Sequence, residues 1–275
     1  MPPRWKGKAI GNKDVLQLLD DAFRNGYLSD HLWEKFSELG STYDLYIMWD
    51  HEYCTADVSI VKSLLTTNFE NWIKGERFDG YMRSVLGTGV FNADGDLWKF
   101  HRSMTRPFFS RERIHHYEVF DRHADEVIGK MKQRLHEGFA VNFQDAIARF
   151  TLDTATEFLF GRCVHSLRDS VLPYPHNAPA MYHNLPRSSA DEFASAFLEA
   201  QHAIAHRSRK GWIWPWFEIF RSQTAAPMRV VDAFLEPILQ SALDKKNATQ
   251  SSDLAAYKTN DECLLDDLVR QTAGD

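Results

Sequence analysis

The sequence predicts a predominantly α-helical fold with one small β element. Three observations carry this expectation. Apolar residues recur three or four apart, as in Phe143, Ile147, Phe150, Thr154 and Phe158, and again in Phe193, Ala196, Phe197, Ala200 and Ile204. Gly and Pro stand where such runs stop, at Gly40, Gly138 and Gly161 and before Pro107. One segment departs from the helical period: Tyr43, Leu45, Ile47 and Trp49 alternate with Asp44, Tyr46 and Met48.

Taken in order, residues 1–13 read as an irregular leader. Asn12 or Asp14 is placed to cap a short helix containing Val15, Leu18 and Leu19, and Ser29 or Asp30 begins a second, His31 to Leu39. The β element spans 43–58, with a turn at Asp50-His51 and a partner strand from Glu52 to Val58. Asp57 caps a helix in which Val58, Val61, Leu64 and Leu65 keep the helical period, extended by Phe69, Trp72 and Ile73. Residues 75 to 95 are Gly-rich and read as irregular. A helix then starts at Asp96. Ser110 caps the longest helix, with Ile114, Tyr117, Val127, Ile128, Met131 and Leu135 near one face, and Asn142 caps the next. Residues 165 to 190 read as loop, with Pro173, Pro175, Pro179 and Pro186. Helix follows over 191 to 207, then an aromatic cluster around Pro215 formed by Trp212, Trp214, Trp216, Phe217 and Phe220. Pro227 opens a long helix to about Lys246 despite Pro237. Residues 247 to 252 form a polar linker, and 261 to 270 a short amphipathic stretch.

Composition narrows the function classes. The 275 residues suffice for one large domain or two small ones. The 19 Phe and 8 Trp fit a large apolar interior or an apolar ligand site. The formal net charge is −6 with basic and acidic residues mixed, so no electrostatic footprint for nucleic acid is present. Cys54, Cys163 and Cys263 are odd in number and widely spaced, which argues against a disulfide framework and for a reducing compartment. The sequon Asn247-Ala248-Thr249 matters only in a secretory lumen. No apolar run of membrane-spanning length follows the Pro-rich basic start, which fits a soluble protein or an anchor lying outside the sequence.

Most constellations are weak. His202 and His206 stand four apart without an evident third ligand, and His115-His116 point in different directions. Asn92, Asp94 and Asp96 imitate the start of a calcium loop, but Leu97 stands where Gly is needed. Gly87-Thr88-Gly89 lacks the preceding βαβ pattern of a nucleotide site. No metal site is expected. The informative segment is Phe91-Asn92-Ala93-Asp94-Gly95-Asp96-Leu97-Trp98-Lys99-Phe100-His101-Arg102, continuing to Pro107-Phe108-Phe109. Trp98 and Arg102 are four apart and so share one helix face. An indole N–H and a guanidinium fork are both donors, with Lys99, His101 and Arg106 adding positive charge, so the face suits a ligand with two carboxylates. On spacing alone, an exposed cation–π pair is the commoner source of such a pattern.

With its context of a preceding Gly loop and a following Pro-Phe-Phe-Ser, this segment resembles the C-helix region of cytochrome P450 enzymes, in a style closest to the fungal members. The resemblance implies that Trp98 and Arg102 hydrogen-bond the haem propionates. The neighbours agree in order: 43–58 is similar to the family's first β-hairpin, 57–78 to its B helix, 79–95 to its B–C loop, 110–161 to D and E, and 191–245 to F and G. Phe78, Val90, Phe91, Phe193 and Phe197 then fall where the family lines its substrate pocket; helical period alone places Phe193 and Phe197 in the core. The departures matter equally. No cysteine has the family's Phe-x-x-Gly-x-Arg-x-Cys-x-Gly setting, and Cys163 reads as a buried or boundary thiol. The oxygen-activating helix with paired threonines is missing; Ala273-Gly274-Asp275 is only a fragmentary echo. Glu218 to Arg221 forms a Glu-x-x-Arg by coincidence.

The expectation is an incomplete P450 fold, the A to G helix region, as a single truncated domain over 1–275. Its helical part runs over 96–246, and 247–275 is a linker and short helix before the missing core helix. The resemblance implies haem as cofactor with the axial thiolate absent from this chain. It also implies NADPH-cytochrome P450 reductase or another electron donor, a small apolar substrate, and the cytosolic face of the endoplasmic reticulum. Trp212, Trp214 and Trp216 are candidates for peripheral membrane contact. The alternatives are a non-catalytic helical protein that binds a lipid or another apolar ligand, and a truncated product without a stable fold of its own.

Overall fold

The computed structural model describes residues 1–109, 117–167, 188–251 and 263–272. The expected cap at Ser110, Ile114, the four prolines of 173–186, Asp261 and the 273–275 echo lie outside the described residues. The chain divides into two compact units, Met1–Trp98 with Gln201–Thr224, and Lys99–Ala200 with Ala225–Asp275.

In the first unit, α1 (Lys13–Asn25) buries Val15, Leu19 and Ala22, spaced four and three apart. Helix α2 (Leu28–Leu39) stops at Gly40, whose φ of 94° favours glycine. Strands β1 (Thr42–Asp44) and β2 (Tyr53–Thr55) pair antiparallel, with Tyr43 opposite Cys54. Trp5, Val15, Leu19, Tyr43 and Leu45 form the core. The leader is thus irregular in backbone yet packed: Trp5 N–H donates to the Asp44 carbonyl (2.9 Å), and Asp44 N–H to that of Pro3 (2.9 Å). Asn12 spends its side chain on the Trp5 and Tyr46 carbonyls (3.0 and 2.7 Å) instead of capping α1, and Asp14 accepts from the N–H groups of Lys8 and Ala9.

The hairpin is shorter than expected and turns elsewhere. Ile47 and Asp50 exchange both backbone bonds, so the two-residue turn is Met48-Trp49, with φ of 48° and 64°. Both central residues at positive φ make this a type I′ turn, normally built from Asn-Gly, so residue preference pointed to the wrong pair. Trp49 is consequently exposed. Asp57 caps α3 (Val58–Lys62) as expected, accepting from Ser59 N–H (2.8 Å) and Ile60 N–H (3.2 Å). The helix does not run on to Ile73. It passes into a π turn over Ser63–Thr67 and a 3-10 turn over Phe69–Asn71, where two Thr and an Asn interrupt good helix formers. Leu65, Phe69, Trp72 and Ile73 are left exposed.

The irregular stretch expected over 75 to 95 is largely helix: α4 spans Gly75–Leu86. Phe78, Tyr81, Met82 and Val85 keep a helical period, and Tyr81 is buried. The glycines that suggested a loop stand at the ends, Gly75 (φ 81°) and Gly87 (φ 56°). Only 87–94 remain irregular before α5 (Gly95–Thr105) and a 3-10 turn over Arg106–Phe109.

In the second unit, α6 (Tyr117–His136) and α7 (Phe143–Phe160) pack through Val127 and Ala146, with Leu167 completing the cluster. The face of α6 that is buried carries His123, Val127 and Arg134, whereas Ile128 and Leu135 are exposed. Asn142 caps α7 by accepting from Asp145 N–H, and Gly161 (φ 65°) ends it. Helix α8 (Ser189–Lys210) meets α9 (Ala225–Ser251) through Phe193, Ala196 and Val231. Helix α9 continues past Pro237 and through 247–251, correcting the expected linker; polar residues without Gly or Pro do not stop a helix. Lys246 Nζ donates to the Val269 carbonyl (2.9 Å), tying α9 to α10 (Leu264–Thr272). The fold is predominantly helical with a two-stranded sheet.

Candidate functional site

The start of α5 is fixed by charge. The Asp94 carboxylate accepts from Lys74 N–H (3.0 Å) and Gly75 N–H (2.8 Å), while Lys74 Nζ donates to the Ala93 carbonyl (2.6 Å). Burial pushes the Asp94 carboxyl up, but these bonds and the Lys74 charge outweigh it and hold it below the ordinary value. Asn92 is buried and donates to Asp79 Oδ1 and the Gly87 carbonyl (2.7 Å each), which shapes the turn that presents Val90 and Phe91.

Helix α5 carries both predicted donors, and the division between the two units falls inside it, after Trp98. Trp98 is half-buried and its ring tilts against Phe69 at 5.2 Å. Arg102 is exposed. Among the described residues, neither the indole N–H nor the guanidinium has a hydrogen-bond partner. On the same helix, His101 Nε2 is buried and also without one. Donors four apart on one helix, with no acceptor among the described residues, fit a ligand with two acidic arms, so the residues present fit a haem edge.

The expected pocket residues fall in both units. Phe78 on α4 and Val90 are half-buried, and Phe91 is 74% exposed; all three belong to the first unit. Phe193 and Phe197 belong to the second, stacked at 5.9 Å, with Phe193 also on Phe234 at 4.5 Å. Phe193 is buried in the α8–α9 packing, as its helical period alone suggests.

In the aromatic segment, Trp212 Nε1 donates to the Met48 carbonyl (2.9 Å) and Trp214 lies under the Arg207 guanidinium (4.6 Å). Trp216 and Phe220 are exposed. Glu218 is paired with Arg207 through two bonds (2.7 and 2.6 Å) rather than with Arg221. His202 and His206 both stand edge-on to Phe23, and His206 Nδ1 lies 3.2 Å from Asp20.

The three cysteines are free thiols. Burial pushes all three up, Cys163 to about 11. One grouping was not foreseen: His123, Asp153 and Cys163 converge, although ten to forty residues separate them in the chain. No spacing motif links such residues; only the α6–α7 packing does.

The family model for cytochrome P450 matches residues 16–273. The chain belongs to the cytochrome P450 family. It is 33% identical over 221 residues to cytochrome P450 52A3-B of Candida maltosa, covering 79% of this chain and 39% of that protein. It is 31% identical over 259 residues to cytochrome P450 52A13 of Debaryomyces hansenii, covering 94% of this chain and 47% of that protein. A shorter match, 38% over 150 residues, links it to cytochrome P450 52A6 of Candida tropicalis. The P450 chain therefore spans less than half the length of these relatives. No helix among the described residues is long and apolar enough to cross a membrane.

Proposed function

We propose that this P450 chain supplies the haem-orienting part of a haem-dependent monooxygenase that inserts one oxygen atom of dioxygen into an apolar organic substrate. The observation that carries the reading is the pair of donors on α5 that have no hydrogen-bond partner among the described residues. Trp98 and Arg102 would hold the propionates, the indole through one N–H and the guanidinium through its fork. Bound haem would supply the activation of dioxygen. By the family resemblance, Phe78, Val90, Phe91 and Phe197 would contribute apolar side chains to the substrate space, while Phe193 is held in the α8–α9 packing. Electrons would come from NADPH-cytochrome P450 reductase or another donor. Relatives of this type suggest the cytosolic face of the endoplasmic reticulum, and the exposed rings around Pro215 would rest against its surface.

In this reading none of the three cysteines is the axial ligand. None of them stands in the Phe-x-x-Gly-x-Arg-x-Cys-x-Gly setting from which the family supplies its thiolate. The chain alone would bind haem without performing the reaction. The test is haem titration of the chain and of Trp98→Ala and Arg102→Ala, read by thermal melting. Haem should raise the midpoint of the parent and not of either variant. Indifference of the parent to haem would remove the reading and favour a helical protein that binds another apolar ligand. A carbon monoxide difference band typical of thiolate ligation would overturn the statement about the cysteines.

A further inference from the structure

The second unit holds a side-chain grouping that plays no part in the haem reading. One imidazole nitrogen of His123, a carboxylate oxygen of Asp153 and Sγ of Cys163 lie within 4.8 Å of one another. They arrive from α6, from α7 and from the segment after Gly161, whose left-handed cap turns the chain back along α7. We propose that His123, Asp153 and Cys163 form a binding site for a thiophilic divalent cation of the zinc class, with Glu126 at its mouth.

The donors are held in place before any ion arrives. Asp153 is fully buried, and its oxygens accept from Ser166 N–H (2.7 Å) and Leu167 N–H (3.0 Å). Each oxygen keeps a further lone pair, and Asp153 makes no ion pair among the described residues. Sγ of Cys163 accepts from His165 N–H at 3.2 Å. His123 is 2% exposed and its Nε2 lies 2.8 Å from Glu157 Oε2, while Glu157 Oε1 pairs with Arg122. Donation from Nε2 leaves Nδ1 as the nitrogen with a lone pair. That atom is buried and has no hydrogen-bond partner among the described residues, and it lies 3.8 Å from Glu126 Oε2. A buried acceptor in that state is completed by a water or by an ion, and here it lies beside a thiol and a carboxylate. A carboxylate behind a histidine is the usual support of a metal-bound imidazole.

The donor set selects the ion. Imidazole, thiolate and carboxylate together suit zinc, whereas magnesium and calcium take oxygen alone. Ligands on one zinc ion stand roughly 3.5 Å apart, so binding draws this set inward by about an ångström. The thiol is held protonated, pushed up to about 11 by burial and by the charges of Asp153, Glu157 and Glu126. Coordination forms the metal–sulfur bond and releases that proton to water. The dication then balances one thiolate and one carboxylate. Glu126 and Glu157 are partly exposed, which opens the site on one side. Its role would be to fasten α6, α7 and the following segment together.

Cobalt(II) alone is the probe, added to the full chain under reducing conditions. One equivalent should give the intense visible bands of four-coordination and a thiolate-to-cobalt charge-transfer band, both displaced by zinc. Cys163→Ser should abolish the charge-transfer band, while Cys54→Ser and Cys263→Ser keep it. Glu157→Gln should weaken binding by about ten- to a hundredfold. In parallel, zinc should protect one thiol of the unaltered chain from alkylation, identified by mass spectrometry as Cys163. A parent spectrum of six-coordinate cobalt without charge transfer, a band that survives Cys163→Ser, or protection of a different thiol would each overturn the proposal.

Discussion

Helix α5 and the α6–α7 pair treat polar groups in opposite ways. On α6 and α7 charges are answered by protein: the buried Asp153 by two backbone N–H groups, and the partly exposed Glu157 by Arg122 and His123. On α5, Trp98 and Arg102 offer donors that no described group accepts. The difference separates two uses of the same side-chain chemistry. Answered charges fix the fold, and their removal costs stability. Donors that no described group accepts contribute little to the fold, and their removal costs it little.

The contrast can be broken from the strongest effect down. Asp153→Ala strands two buried N–H groups and should cost about 3 kcal/mol in urea unfolding; a loss below about 1 kcal/mol would erase the distinction. Glu157→Gln should cost about 2 kcal/mol, because the bonds it weakens are charge-assisted. Burial pushes the Glu157 carboxyl up, but the bonds from Arg122 and His123 outweigh it and hold it below its ordinary 4.5. Its contribution is therefore full above about pH 4.5 and drains away as pH falls through the lowered value. Circular dichroism against pH should show that loss in the parent and a shallower one in Glu157→Gln. Trp98→Ala, which gives up the contact with Phe69, should cost about 1 kcal/mol without haem. Arg102→Ala should change haem-free stability by less than about 0.5 kcal/mol.

Much of the fold was legible because its signals are local. Asp57 and Asn142 act as caps within three residues of themselves, and Gly40 and Gly161 end helices through their own φ. The donor pair on α5 was legible for the same reason, since one turn of helix decides it. What escaped depends on distance. The glycines at 75 and 87 looked like a loop because their places at the two ends of a helix follow from the burial of Tyr81 between them. The turn at Met48-Trp49 follows from pairing Tyr43 with Cys54, against the preference of the turn residues themselves. The convergence of His123, Asp153 and Cys163 needs two helices to meet first.

The Met48-Trp49 turn reaches into a different question. Its carbonyl at Met48 engages the Trp212 indole, so that ring is anchored inward at its polar tip. An indole that floats at a lipid headgroup layer needs that same tip for water and glycerol. In the proposed membrane contact, Trp216 and Phe220, both exposed, would meet the lipid ahead of Trp212. Brominated lipid should quench emission from Trp216 before it dims Trp212.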